Sequence, residues 1–307
     1  AVGSARFALG TDAAGSVRIP AAMTGTTGLK PTWGLISCHG VMREATAPSI
    51  DHVGIIARSA AEIAAILPVL AGPDPWDAAT LRARPVTDEA PKVGARFAVL
   101  GEATLSALSE FYPLDPDIET SFWSACNVFS DAGADIVKLE LPSLPKAIEA
   151  SVTLFSAEVA CANAKWLSER KSDYNAKVAA TIESGLLISA DQLSEAVRTC
   201  SQLSREVSAT FSAHDTRFLL TPTTPRPAMP LAQFNPSDEM ASLVPFTCGF
   251  NLTGNPALSL PCGQTRDGLP IGLQIVGCHF AEASLLDLAQ QFQQLTNWHE
   301  RRPPQFC

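Results

Sequence analysis

Apolar positions recur along the chain at two spacings, and the switch between them predicts an alternation of strands and helices. Residues 5–9 (ARFAL) and 26–30 (TTGLK) are short apolar or β-branched runs bounded by Gly and Pro, which reads as two strands on either side of a small-residue loop. Ile63, Ile66, Leu67 and Leu70 then share one helical face behind a Ser59…Glu62 capping-box pattern; Pro68 predicts a kink and Gly72-Pro73 a stop. From Gly72 to Pro91 the periodicity fades among prolines 73, 75, 85 and 91, as in a long surface connection.

The pattern resumes with Arg96–Leu100 (RFAVL) as a buried strand. Asp115-Pro116 opens a helix with Ile118, Phe122, Ala125 and Phe129 on one face, closed by Gly133, and residues 135–141 (DIVKLEL) alternate like a strand. Strand, helix, strand is the unit of a sheet covered by helices. Residues 146–214 are Ala-rich and helical in pattern, with Ser189 a cap for the segment holding Leu193, Val197 and Leu203. Strands at 218–220, 257–260 and 271–276 precede a last amphipathic helix carrying Leu285, Leu288, Phe292 and Leu295. No internal repeat is visible. The pattern describes one large α/β domain.

Composition narrows the class. In 307 residues, 46% are hydrophobic and 17% charged, so most of the chain has to be buried. The net charge is −9 with no run of Lys or Arg, which argues against direct contact with nucleic acid. No apolar stretch is long enough to span a bilayer and no signal peptide is visible; neither membrane partner nor export is expected, and the location expected is cytoplasmic. Eight cysteines without a CxxC pair read as reduced core thiols, and neither Cys38-His39 nor Cys278-His279 has a matching pair nearby, so no metal is expected. No cofactor is suggested.

The loop from Gly10 to Pro20, GTDAAGSVRIP, is the segment with chemistry. It presents one serine, Ser16, among small residues whose backbone N–H groups can converge near its hydroxyl, as acyl transfer requires. Two plainer readings stand beside this one. Gly10 to Gly15 matches the spacing of a phosphate loop, but the Lys that should follow is Ser16 and then Val17. A small-residue turn with a serine is also often only a turn. Asp12 and Arg18 bracket the loop as braces or as a structural ion pair, with Arg18 able to face substrate. Among five histidines only His52 has a carboxylate beside it, Asp51, leaving a Ser-His-Asp arrangement as an alternative.

The chain resembles the amidase signature family through ALGTDAAGSVRIPAA at 8–22, GLKPTWGLIS at 28–37 and APSIDHVGIIARS at 47–59. LLTPTTPRPA at 219–228, FTCGFNLTGNPALSLPCG at 246–263 and DGLPIGLQIVG at 267–277 agree with it. The resemblance implies a single α/β/α sandwich with a mixed central sheet over residues 1–307, the C-terminal two thirds of the family fold, with 75–215 a variable, largely helical substrate-side region. It implies Ser16 as nucleophile and the backbone N–H groups of Ala13, Ala14 and Gly15 as the oxyanion hole, where the family usually has Gly in place of Ala14. Phe246, Phe250 and Asn251 would line an acyl pocket, core packing being the alternative. Lys30 belongs to a motif with a structural role.

The family's base is a neutral Lys relayed through a second serine held by a cis peptide. Both belong to motifs that would fall before Ala1, and Ser4 stands at the wrong spacing. The reaction implied is hydrolysis of a small-molecule carboxamide to carboxylate and ammonia or amine through an acyl-enzyme. Alternatives are the glutaminase subunit of an amidotransferase working with a partner chain, and a truncated, inactive module. A homodimer is left open.

Overall fold

The computed structural model describes residues 1–41, 47–83 and 96–303. In chain order its elements are β1 (Phe7–Asp12), α1 (Arg18–Thr24), β2 (Thr27–Lys30), β3 (His52–Ala57), α2 (Ala60–Leu70), β4 (Arg96–Leu100), α3 (Glu102–Ser109), α4 (Pro116–Asp131) and β5 (Asp135–Leu139). Then come α5 (Ala147–Arg170), α6 (Ala176–Gly185), α7 (Ala190–Ala213), β6 (Phe218–Pro222), α8 (Pro236–Leu243), α9 (Gly249–Leu252), β7 (Ala257–Gln264), β8 (Pro270–Gly277) and α10 (Glu282–Thr296).

The strands form one sheet in the order β1-β3-β2-β7-β8-β6-β4-β5. β4 runs parallel to β5 and β6, and the other pairings are antiparallel, so the sheet is mixed. Side chains alternate across it with period two. Phe97, Val99, Phe218, Leu220 and Ile275 join one apolar cluster with residues of α2, α4 and α10. Ala98, Leu100, Leu219 and Val276 join a second with α5, α7 and α9. Burial on both faces gives the α/β/α sandwich.

The local signals for several elements match the structure. Ser59 and Glu62 close a reciprocal capping box on α2, and Ser189 with Gln192 does the same on α7. Pro68 lies inside the last turn of α2. Several features depart from the sequence reading, among them α3, α8 and α9, which it does not contain. α1 has no counterpart in it, because seven residues with a proline among them carry no helical periodicity. β3 has none because Gly54 interrupts its apolar run. The stretch expected to be a loose connection is anchored over its described part: Ser37 donates to Asp74, the Cys38 N–H to Asp77, and Thr80 is buried between them. Residues 84–91 lie outside the described ones.

α1 lies close against the middle of the sheet. A Cβ at Gly28 would stand 2.7 Å from the Ala21 methyl and 2.9 Å from the Val17 carbonyl, so only glycine permits this approach. Among the described residues no helix is long and apolar enough to cross a membrane.

The other face is sealed by aromatic packing: Phe129 lies 5.2 Å from Phe292 and 5.1 Å from Phe97, ring centre to ring centre. Phe292→Ala leaves a cavity in this fully buried cluster. Unfolding in urea should show a loss of about 3–5 kcal/mol with an unchanged slope; a loss below about 1 kcal/mol would contradict this packing account.

Candidate active site

β1 ends at Asp12, and the chain turns through Ala13, Ala14, Gly15 and Ser16 before α1 begins at Arg18. Ser16 is exposed, while Asp12, Gly15, Val17 and Arg18 around it are buried. The turn is wound around the Asp12 carboxylate. Oδ1 accepts from the Gly15 N–H at 2.7 Å, Arg18 Nη2 at 2.9 Å and Asn251 Nδ2 at 2.9 Å. Oδ2 accepts from Arg18 Nε at 3.0 Å and from the N–H groups of Val17 and Arg18 at 3.2 and 3.4 Å. The last two are N–H groups at the start of α1 that have no partner within the helix.

Arg18 is equally engaged. Its remaining N–H groups donate to the Thr247 carbonyl at 2.9 Å, Gln274 Oε1 at 2.8 Å and Asn251 Oδ1. Gln274 passes the network on, donating to the Phe246 carbonyl and to Thr221 Oγ1. Asp12 and Arg18 are fully buried, so the pair is enclosed in protein. Burial alone would raise the Asp12 carboxyl's pKa. The Arg18 charge, with the hydrogen bonds from Arg18 and Asn251, outweighs it and holds that pKa well below the ordinary carboxylate range.

The expected oxyanion-hole donors divide. The Gly15 N–H points inward to Asp12 and is spent there. The N–H groups of Ala13, Ala14 and Ser16 have no acceptor among the described residues. The departure follows from the Asp12 carboxylate lying inside the turn, where it takes the N–H three residues on. Gly15 contributes conformation instead: its φ is +133°, and a Cβ there would meet Thr247 Oγ1 at 2.5 Å.

The residues expected to line an acyl pocket sit elsewhere. Phe246 and Phe250 are enclosed in the apolar cluster beneath the loop, against which Ala13 and Ala14 pack. The Asn251 amide is committed to the brace, donating also to the Asp12 carbonyl at 2.7 Å. A cavity of about 370 Å3, lined by Trp33, Asn251, Thr253, His279 and Phe280 among others, reaches the brace at Asn251; Ser16 does not line it.

The histidine alternative is not assembled. His52 Nδ1 faces the Ile50 carbonyl at 2.8 Å, while Asp51 accepts from the Ala47 N–H. Burial, and then the Lys30 charge, push the His52 pKa well down. Lys30 is buried, its ammonium donating to the carbonyls of Pro31 and Asn255. Its pKa is lowered by burial and then by Arg18. No described side chain hydrogen-bonds to the Ser16 hydroxyl.

Thr247, Gln274 and Thr221 carry the brace and are not among the residues that the sequence singles out. Gln274 leaves a signal, a lone amide in the apolar run Ile271–Val276. Thr221 and Thr247 leave none, being small hydroxyls among buried neighbours.

An α/β/α sandwich presenting a serine on a small-residue turn, braced by a buried carboxylate–guanidinium pair, defines a class of enzyme scaffold. Within it the chain belongs to the amidase family, whose profile matches residues 1–286. A glutamyl-tRNA(Gln) amidotransferase subunit from Methanosarcina barkeri is 32% identical over 99% of this chain and 68% of its own length. The corresponding protein of Chromohalobacter salexigens is 34% identical over 99% of this chain and 66% of its own. The chain thus spans about two thirds of these curated relatives. A 6-aminohexanoate cyclic dimer hydrolase, solved with its substrate, superposes with a TM-score of 0.82 at 26% identity, over 99% of this chain and 67% of that one.

Arg18→Leu strands a buried carboxylate and should cost about 3–5 kcal/mol in chemical denaturation. A carboxyl whose folded pKa lies below its unfolded value stabilises the fold above that unfolded value, and the contribution is lost as pH falls toward the folded one. Stability should therefore decline below about pH 4, and Asp12→Asn should flatten that part of the profile. An acid limb of unchanged steepness in Asp12→Asn would assign the decline to other carboxylates.

Proposed function

We propose that the protein is an amide hydrolase with Ser16 as nucleophile. One observation carries this reading: an exposed serine hydroxyl beside three uncommitted backbone N–H groups, on a turn immobilised from below. Ser16 Oγ adds to the carboxamide carbon, and the oxyanion is met by the N–H groups of Ala13, Ala14 and Ser16. Collapse expels ammonia or an amine, and water then releases the carboxylate. The proton leaving Ser16 needs a base; the family resemblance implies a lysine acting through a second serine.

Membership of the amidase family and the fold shared with a 6-aminohexanoate cyclic dimer hydrolase support hydrolysis. A second reading, the glutaminase subunit of an amidotransferase, is favoured by the 32–34% identity to amidotransferase subunits over nearly the whole chain. In that case the ammonia would pass to a partner. A cytoplasmic location fits both readings.

Ammonia release from a panel of simple amides and from glutamine, measured on the full-length gene product with and without a candidate partner, separates them. Ser16→Ala should lower turnover by at least about 1,000-fold. Retention of most of the activity would sink the nucleophile assignment. Release from glutamine alone, and only with a partner, would favour the second reading.

A further inference from the structure

The peptide joining Ala14 to Gly15 is held at both ends. Its N–H donates to Asp12 Oδ1 at 2.7 Å, and its carbonyl accepts from Thr247 Oγ1 at 2.6 Å. The same hydroxyl has a second acceptor, the Val244 carbonyl, at the longer distance of 3.2 Å. Thr247 is fully buried, and its own carbonyl accepts from Arg18 Nη1 at 2.9 Å. One residue, 233 positions beyond Ala14 in the chain, therefore touches both the turn carrying Ser16 and the guanidinium beneath it.

The position of this peptide matters because of what flanks it. The Ala14 N–H precedes it and the Ser16 N–H follows it, and both are among the uncommitted donors. A peptide is planar, so fixing its C=O and N–H fixes the plane and leaves its neighbours only two soft dihedrals each. Gly15 at φ +133° lies where a glycine has no side chain to hold it, and without a contact on the carbonyl the Ala14–Gly15 peptide can pivot about its remaining N–H bond to Asp12. The pivot would swing the Ala14 and Ser16 N–H groups apart.

We infer that Thr247 is a positioning residue for the oxyanion site: its hydroxyl clamps the Ala14 carbonyl and thereby aims the flanking N–H groups at the developing oxyanion. It touches neither substrate nor reacting atoms. The inference rests on Ser16 being the nucleophile. Because the donors it aims act on charge that develops only in the transition state, its loss should appear in kcat and not in KM.

Thr247→Val keeps the shape and removes the hydroxyl; Thr247→Ser keeps the hydroxyl and removes a methyl. In the full-length gene product, the valine variant should lower kcat about 10- to 100-fold with KM changed less than about twofold. Affinity for a boronic acid that forms a tetrahedral adduct on Ser16 should fall with kcat, and the serine variant should retain both. Thr247→Ala stands in for valine if the latter does not fold. Unchanged kcat in the valine variant, or equal losses in valine and serine, would overturn the positioning role while Ser16→Ala still reports on the nucleophile. Turnover that survives Ser16→Ala, or no turnover in the unaltered protein, would remove the reading beneath it.

Discussion

The Asp12 carboxylate is the point on which this molecule turns. Removing a carboxylate and a guanidinium from water costs several kcal/mol per ion, and the cost is offset only where the geometry meets the remaining lone pairs and protons. Here six donors converge on Asp12, and all five side-chain N–H groups of Arg18 have acceptors. Neither ion can leave without stranding the other's charge in the interior. The turn at 13–16 is therefore not a flexible connection between β1 and α1 but the rim of a closed polar network.

That network also explains how distant parts of the chain come to one place. Besides Asp12, the partners of Arg18 are Thr247 and Asn251, around the short helix α9, and Gln274 on β8, all more than 220 residues away in sequence. β7 lies between β2 and β8 in the sheet, so the N-terminal strands abut the C-terminal hairpin, and α1 sits over the junction. Placing α1 this low depends on Gly28, and its approach brings Arg18 within reach of β8.

The site was legible where its chemistry is local. Ser16 could be named from the small-residue loop between two strand-like runs and from the motifs around it. The outward or inward direction of each N–H could not. Gly15 was expected among the donors and instead spends its N–H on Asp12, because the carboxylate lies inside the turn. Asn251 and the two phenylalanines were read by their place in a motif; burial sends the rings to the core and the amide to the brace. Thr247 has no sequence signature, since its role exists only after residue 14 has been carried to it.

By itself, the sequence determined the period-two and helical runs, the capping boxes at Ser59 and Ser189, the mixed α/β class and the serine-bearing turn. These depend on interactions within a few residues, where side-chain spacing and backbone preference suffice. Tertiary structure decided the rest: which strands adjoin, which polar groups meet, and which backbone donors stay uncommitted around Ser16. The join of β2 to β7 and the partners around Arg18 depend on contacts between residues more than 200 positions apart, and a buried charge accepts only the partners that the completed fold delivers to it.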